Sequence, residues 1–417
     1  MRKILFLSPT GTMDNGAEIS IFNLMKYLVE QGYEVVNIAP VSGDVEVNDY
    51  SRIFESNGIK CFLVSNQRWW WEDAPGMLFG SEEQRAASFR NTIDLIAKKI
   101  DEFDIELVIT NTANMFQGAM AAAVQDVSHI WLIHEFPSGE FAYYKDKIEF
   151  IEEFSDEIFA VRGELSNNLQ ELFTRKKIKS FAPYTELEQV SLKKGDVQRI
   201  VSVGRINPRK NQLELIKAYH QLNRYDIELV FIGAWDDEYK EKCLDYIKKN
   251  RLKNITFLGN VDNPWEHVTS KDICVFSSAM ETFGLVYVEA LLNGVPVIIS
   301  NNPGHMSAYD FFNHGCVYPL GDIDKLVEMI RVRLDNFDDF KSETVNFSVE
   351  AKEKYQIYYV YQDLIEAIDS VTASPKAIRH IKSLLTLNEK KSKLAQFEYQ
   401  TRSFLQRVKY KIRKSFK

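Results

Sequence analysis

Glu281 and Glu289, with seven residues between them, lie in a stretch whose neighbours give each a place. The apolar run Ile273 to Phe276 reads as a buried parallel strand. Glu281 then falls in the loop beyond that strand's C-terminal end, Gly284 opens a segment of helical apolar spacing, and Gly294 closes it before the strand Val295 to Ile299. In an open parallel sheet such a loop borders the ligand-binding crevice, and the N–H groups that begin the helix suit an anion. Glu281 can accept hydrogen bonds from sugar hydroxyls while the amides of Gly284 and Leu285 face a phosphate. Glu289 lies one turn past Leu285, and helix side chains lean toward the N-terminus, so it can reach a vicinal diol such as a ribose. Taken alone, the two glutamates are better read as a surface loop acid and a solvated helix residue, because such spacing recurs often by chance.

Positive charge comes from Gly204-Arg205-Ile206-Asn207-Pro208-Arg209-Lys210-Asn211, which follows the predicted strand Arg199 to Val203. Gly204 lets the chain turn and Asn211 can cap the next helix, so the cations emerge at the sheet's C-terminal edge. Arg grips phosphate oxygens bidentately and Lys adds a point charge, as a departing diphosphate requires. Surface charge beside a helix start is the plainer reading of this segment by itself.

Glu281-Xaa7-Glu289, with Phe283-Gly284 inside it and Gly294-Val295-Pro296-Val297 after it, resembles the signature of the retaining GT-B glycosyltransferases of family four, glycosyl transferases group 1. Gly204-Arg205 with Pro208-Arg209-Lys210 resembles the same family's second motif, in the same order. The resemblance covers about residues 1–370 and casts Arg205 and Lys210 as a diphosphate clamp, Glu281 as a holder of the sugar and Glu289 of the ribose. It places Phe283, Gly284 and Leu285 beside the donor and gives the backbone of Gly259-Asn260-Val261 to the nucleobase. His134, after the predicted strand His129 to Ile133, resembles a family histidine that lies over the donor sugar. Asn15-Gly16-Ala17-Glu18 stands where relatives have Gly-Gly-Ala-Glu; asparagine tolerates a left-handed turn, and Gly16 allows close approach to a helix N-terminus. Asn302-Pro303-Gly304-His305 departs from the family's Gly-Gly turn and acid, and His305 is given no role. Asp236-Asp237 reads as a helix start, and the family needs no metal, so neither metal nor cofactor is expected.

Strand and helix patterns alternate through the chain. Strands are expected at 2–8, 34–39, 60–64, 106–110, 129–133 and 157–161, with helices from about Ala17 and over 85–101 and 114–125. After a pause at Phe181 to Thr185 the alternation resumes with strands at 199–203, 228–232 and 255–258 and helices at 212–222, 237–249 and 324–334. This is an α/β chain of two doubly wound Rossmann-like domains, residues 1–185 and 186–352, which in the GT-B arrangement face a cleft. Ser348 can cap a long helix to about Ile368, and the family resemblance sends such a helix, residues 353–370, back to the first domain.

The chain has 417 residues and a net charge of −8. Between Lys376 and Lys417 stand 13 Lys or Arg against two acids, giving +11 there and −19 elsewhere. An acidic body excludes nucleic acid as the main partner. The basic tail, 371–417, spaces Leu394, Phe397, Phe404, Val408, Ile412 and Phe416 on one helical face and suggests an anionic membrane surface bound through 375–417, with a packing helix or protein partner as alternatives. Trp69-Trp70-Trp71 suggests a core segment or an acceptor or membrane loop. Four scattered cysteines argue for free thiols, and a short apolar N-terminus argues for a strand over a signal peptide, so a cytoplasmic site is expected, peripheral to the membrane's inner face.

The resemblance implies transfer of a sugar from a nucleoside-diphosphate donor, a UDP-sugar, to a glycan or lipid-linked hydroxyl acceptor in polysaccharide or glycoconjugate synthesis. The alternatives are a catalytically silent partner subunit and a nucleotide-sugar epimerase. The sequence also predicts that replacing Glu281 or Lys210 with Ala abolishes transfer with little loss of stability.

Overall fold

The central strands are short apolar runs buried end to end, as parallel sheets covered by helices on both faces require: Ile4 to Leu7, Leu107 to Asn111 and Asp272 to Phe276. The computed structural model describes residues 2–13, 15–41, 47–65, 81–186 and 192–376. Trp69 to Trp71 and the tail from 377 to 417 lie outside the described residues.

The first domain runs β1 (Lys3–Leu7), α1 (Gly16–Glu30), β2 (Glu34–Pro40), α2 (Val47–Ser56), β3 (Lys60–Val64), α3 (Glu82–Phe103), β4 (Leu107–Asn111), α4 (Gln117–Gln125), β5 (Ser128–Ile133), α5 (Ile148–Phe154), β6 (Glu157–Val161), α6 (Glu164–Leu172) and β7 (Ile178–Phe181). The second runs β8 (Arg199–Val203), α7 (Gln212–Leu222), β9 (Glu228–Ile232), α8 (Asp237–Lys249), β10 (Ile255–Gly259), β11 (Asp272–Phe276), α9 (Leu285–Leu292), β12 (Val297–Ser300), α10 (Pro303–Phe312), β13 (Cys316–Tyr318) and α11 (Ile323–Asp335). The sheets are ordered β3-β2-β1-β4-β5-β6-β7 and β10-β9-β8-β11-β12-β13. Strand order reverses between β1 and β4 and between β8 and β11, so a crevice opens at the C-terminal edge of each sheet.

Local chemistry sets the ends. Asn15 caps α1 by accepting from the Glu18 N–H at 3.0 Å, worth about 1 kcal/mol. Its backbone is extended, at φ −131°, so the left-handed conformation that asparagine tolerates is not used here. Asp236 caps α8 through the Tyr239 N–H. Asn211, expected as a cap, is itself left-handed at φ 53°, and its amide donates to Glu214 at 2.6 Å.

The expected helix from Ser348 to Ile368 is broken. Ser348 lies inside α12 (Phe337–Lys354), where its hydroxyl donates to the Val345 carbonyl; α13 (Ile357–Val360) and α14 (Gln362–Ser370) follow after extended Gln356. Two buried tyrosines around the break account for it. The Tyr355 hydroxyl donates to the Pro183 carbonyl and accepts from the Thr185 N–H, while the Tyr361 hydroxyl bonds Ser20 of α1. Those contacts clasp the interdomain segment, and a straight helix would forfeit one of them. Beyond, Arg2 donates to the Ile368 carbonyl at 2.7 Å and α14 packs on β7. One apolar cluster therefore runs from the first domain through Tyr355 and Tyr361 into the second.

Candidate active site

The loop after β8 is shaped by its own side chains. Gly204 has φ +133°, and a Cβ on Gly233 would come 2.4 Å from the Gly204 carbonyl oxygen, so the loops after β8 and β9 pack backbone to backbone. Asn207 accepts from the Lys210 N–H at 2.9 Å and Gln212 donates to the Arg205 carbonyl at 2.9 Å. The Arg209 carbonyl accepts from the Ala279 N–H at 2.8 Å, which joins this loop to the one after β11. Arg205 and Arg209 stand exposed on the rim, without an ion pair among the described residues.

The join brings Lys210 and Glu281 together. Lys210 Nζ lies 2.5 Å from Glu281 Oε1, with side chains only 15% and 8% exposed. Burial pushes the Glu281 carboxyl up, but Lys210, with His305 and Arg209, outweighs it and holds the group down at about 2. Glu281 Oε2 takes no hydrogen bond among the described residues and remains able to accept from a ligand hydroxyl. The pair's burial overturns the expectation that either residue can be removed at little cost, because the survivor would be a buried charge without its partner.

Gly284 precedes α9 with φ +87° and supplies no side-chain cap, which leaves the helix's first N–H groups available to an anion. Across the domains, a Cβ on Gly16 would come 3.1 Å from Leu285 Cδ1, so the N-termini of α1 and α9 meet. Phe283, which the family resemblance sets beside the donor, has a side chain only 2% exposed that belongs to the core. Glu289 is half-buried, with both carboxylate oxygens engaged. Thr185 Oγ1 donates to its Oε1 and Trp265 Nε1 to its Oε2, both at 2.9 Å, so a ribose would have to share or displace these donors. Burial raises its carboxyl, against the pull of the Trp265 and Thr185 bonds. The Gly259 carbonyl accepts from the Gly233 N–H at 2.8 Å, and the Trp235 ring lies on Gly259, where a Cβ would come within 3.1 Å of it. Val261 is half-buried against the core.

In the first domain His134 is buried after β5, its ring 5.3 Å from that of Phe181, with Nε2 unpartnered. Burial drives it down to about 3, so it is neutral at ordinary pH. Glu135 braces it, with Oε2 accepting from the His134 N–H at 3.1 Å and the Ala113 N–H at 3.0 Å. Thr112, beside Ala113, has φ +83°, a strained value for a β-branched residue that costs on the order of 1–3 kcal/mol and is held by the Thr112 N–H bond to the Leu132 carbonyl. Glu18 shapes the loop above Gly16, its Oε1 accepting from Thr10 Oγ1 and the Thr10 and Gly11 N–H groups.

Sequence reasoning missed Thr185, Trp235, Trp265, Gly304 and His305. Gly304 and His305 carried one signal, a glycine just after a strand of the right domain. A Cβ on Gly304 would fall 2.3 Å from the carbonyl carbon and oxygen of Glu281, so α10 backs directly onto Glu281. No cluster of three His, Cys, Asp or Glu among the described residues is placed to hold a metal ion.

Residues 183–344 match the family model described as glycosyl transferases group 1. The chain is similar to a capsular polysaccharide biosynthesis glycosyltransferase of Staphylococcus aureus, 26% identical over 39% of this chain and 43% of that protein. It is 32% identical, over 28% of this chain and 30% of that protein, to the N-acetylgalactosamine-N,N'-diacetylbacillosaminyl-diphospho-undecaprenol 4-alpha-N-acetylgalactosaminyltransferase of Campylobacter jejuni. The chain thus spans less than half the length of these relatives. Among solved structures, Anabaena Alr3699/HepE in complex with UDP and glucose superposes with a TM-score of 0.71 at 19% identity, covering 89% of this chain and 100% of that one. Sucrose-phosphate synthase from Thermosynechococcus elongatus superposes at 0.70 with 16% identity, covering 88% and 98%. The protein has the GT-B fold of these solved structures, and its residues 183–344 are similar to the glycosyl transferases group 1 family.

Proposed function

We propose that the protein is a retaining glycosyltransferase that moves a sugar from a nucleoside-diphosphate donor, a UDP-sugar, to a hydroxyl of a glycan or lipid-linked acceptor. The observation that carries this reading is the buried Lys210–Glu281 pair beside the uncapped N-terminus of α9, facing Gly16. The UDP in the Anabaena structure, the capsular polysaccharide biosynthesis in one relative's name and the diphospho-undecaprenol acceptor in another's support the donor and acceptor classes.

In this reaction the bond from the anomeric carbon to the diphosphate oxygen breaks, and a bond to the acceptor oxygen forms on the same face. The acceptor's proton passes to the departing diphosphate, which needs no protein base. Arg205, Lys210 and the first amides of α9 stabilise charge on the leaving group, where preorganised donors act most strongly. Glu281 Oε2 holds a sugar hydroxyl, neutral His134 covers the sugar, Glu289 takes the ribose, and the backbone at Gly259 and Val261 takes the base. No metal takes part. Closure of the domains around the donor excludes water.

The test is incubation with a panel of nucleotide sugars, with and without lipid-linked and glycan acceptors. Slow release of UDP alone, and a product of unchanged anomeric configuration with acceptor, are expected. A changed sugar still on its nucleotide would mean an epimerase, and binding without turnover on any acceptor a silent subunit; either result overturns the reading.

No helix among the described residues is long and apolar enough to cross a membrane. The +11 tail is the proposed means of attachment to an anionic bilayer at the cytoplasmic face. Deleting 375–417 should abolish sedimentation with anionic vesicles; undiminished sedimentation refutes the attachment.

A further inference from the structure

Behind Glu281, α10 begins Asn302-Pro303-Gly304-His305. Asn302 Oδ1 accepts from the N–H groups of Gly304 and His305, both at 3.1 Å, which fixes the amide so that Nδ2 is its donor. Nδ2 lies 2.8 Å from His305 Nδ1 and 3.0 Å from the Ser278 carbonyl. A proton on Nδ1 would set N–H against N–H at that distance. The competing partners are the Ser300 carbonyl, 3.1 Å from Nδ1, and the Ser300 hydroxyl, 3.2 Å from it. We assign the tautomer from the shortest contact, to an amide barred from flipping by two backbone donors: Nδ1 accepts and Nε2 carries the proton.

That leaves an N–H with no acceptor on a ring that is 0% exposed. A buried donor without a partner is costly, and its persistence at a site is a pointer to something that satisfies it in another state. The Cδ2–Nε2 edge faces Gly284, where a Cβ would lie 2.7 Å from Cδ2, 3.3 Å from Nε2 and 4.0 Å from Glu281 Cγ. A side chain at 284 would therefore stand against both the imidazole edge and the Glu281 side chain.

We propose that His305 is a positioning residue of the donor site: its Nε2–H donates to the Glu281 carboxylate when Lys210 turns from that carboxylate to the diphosphate of a bound donor. Lys210 has one ammonium for two anions. With His305 taking over Glu281, Lys210 is released to the phosphate without stranding a buried charge, and Glu281 stays aimed at the sugar. The proposal rests on the donor-site reading above.

The experiment is a double-mutant cycle on UDP binding by the full-length chain, measured by calorimetry. His305→Met, which keeps volume and removes the donor, should weaken UDP binding about tenfold, and His305→Gln, which keeps an N–H, should bind within a few-fold of the parent. In a Glu281→Gln background, where no charge needs a second partner, His305→Met should change UDP affinity by less than about twofold. A loss that persists undiminished in that background marks a packing role and overturns the proposal, as does full affinity in His305→Met. UDP that fails to bind the parent chain removes the donor site itself. A separate arm is independent of UDP: two-bond proton–nitrogen correlation on labelled histidine should show the Nε2–H tautomer at His305 in the free protein, and the Nδ1–H tautomer contradicts the argument at its root.

Discussion

Lys210→Ala is expected to lower turnover at saturating donor by about 10²- to 10³-fold, the usual consequence of removing a preorganised donor to developing negative charge. The same substitution should destabilise the fold, because Glu281 stays buried without the ammonium 2.5 Å away. Breaking a buried pair from one side costs roughly 3–5 kcal/mol. The two losses separate in the double variant Lys210→Met with Glu281→Gln, which should recover stability by denaturant titration and remain inactive. A pH series adds a check. The Glu281 carboxyl is held at about 2, below its ordinary 4.5, so the pair's contribution is complete above about pH 4.5 and is lost as pH falls toward 2. In Lys210→Ala that acid-sensitive contribution should vanish. Full activity in Lys210→Ala would take the residue out of the leaving-group site.

Gly304→Ala is the second large effect. The new methyl would sit 2.3 Å from the carbonyl carbon and oxygen of Glu281 and 2.7 Å from its Cβ. The first two of those atoms are backbone, so no rotamer change relieves the contact. The loop bearing Glu281 must move, and a displacement of about 1 Å at a positioning group costs on the order of 10² in rate. Melting temperature should fall less than activity, because the loop can shift toward the open crevice while the β11–β12 core stays packed. Unchanged kinetics would show that Glu281's placement is not what the site depends on.

What the sequence shows of this protein follows the range of the forces involved. Strand and helix alternation was legible because burial on both sheet faces imposes apolar runs such as Ile273 to Phe276, and α8 carries its own cap in Asp236. The strands β7 and β13 are sheet edges buried only in part, so they lack the buried apolar run that reveals β12. Helix α10 hid because Pro303 and Gly304 look like a turn until Asn302 is seen to cap them. The break after α12 was invisible for a different reason: local periodicity favours a continuous helix, and the hydroxyls of Tyr355 and Tyr361 override it through partners at Pro183 and Ser20, more than 150 residues away. In the site, residue types and order pointed to Lys210 and Glu281 but not to their mutual burial. Glu289's grip on Thr185 and Trp265 depends on tertiary approach alone.

A crystal structure of the full chain with UDP shows where the diphosphate sits. The phosphates are expected between Arg205, Lys210 and the first turn of α9, with the ribose at Glu289 and the uracil toward Gly259. UDP lodged away from Lys210 and Glu281, or held there without contact to the N-terminus of α9, would contradict this placement.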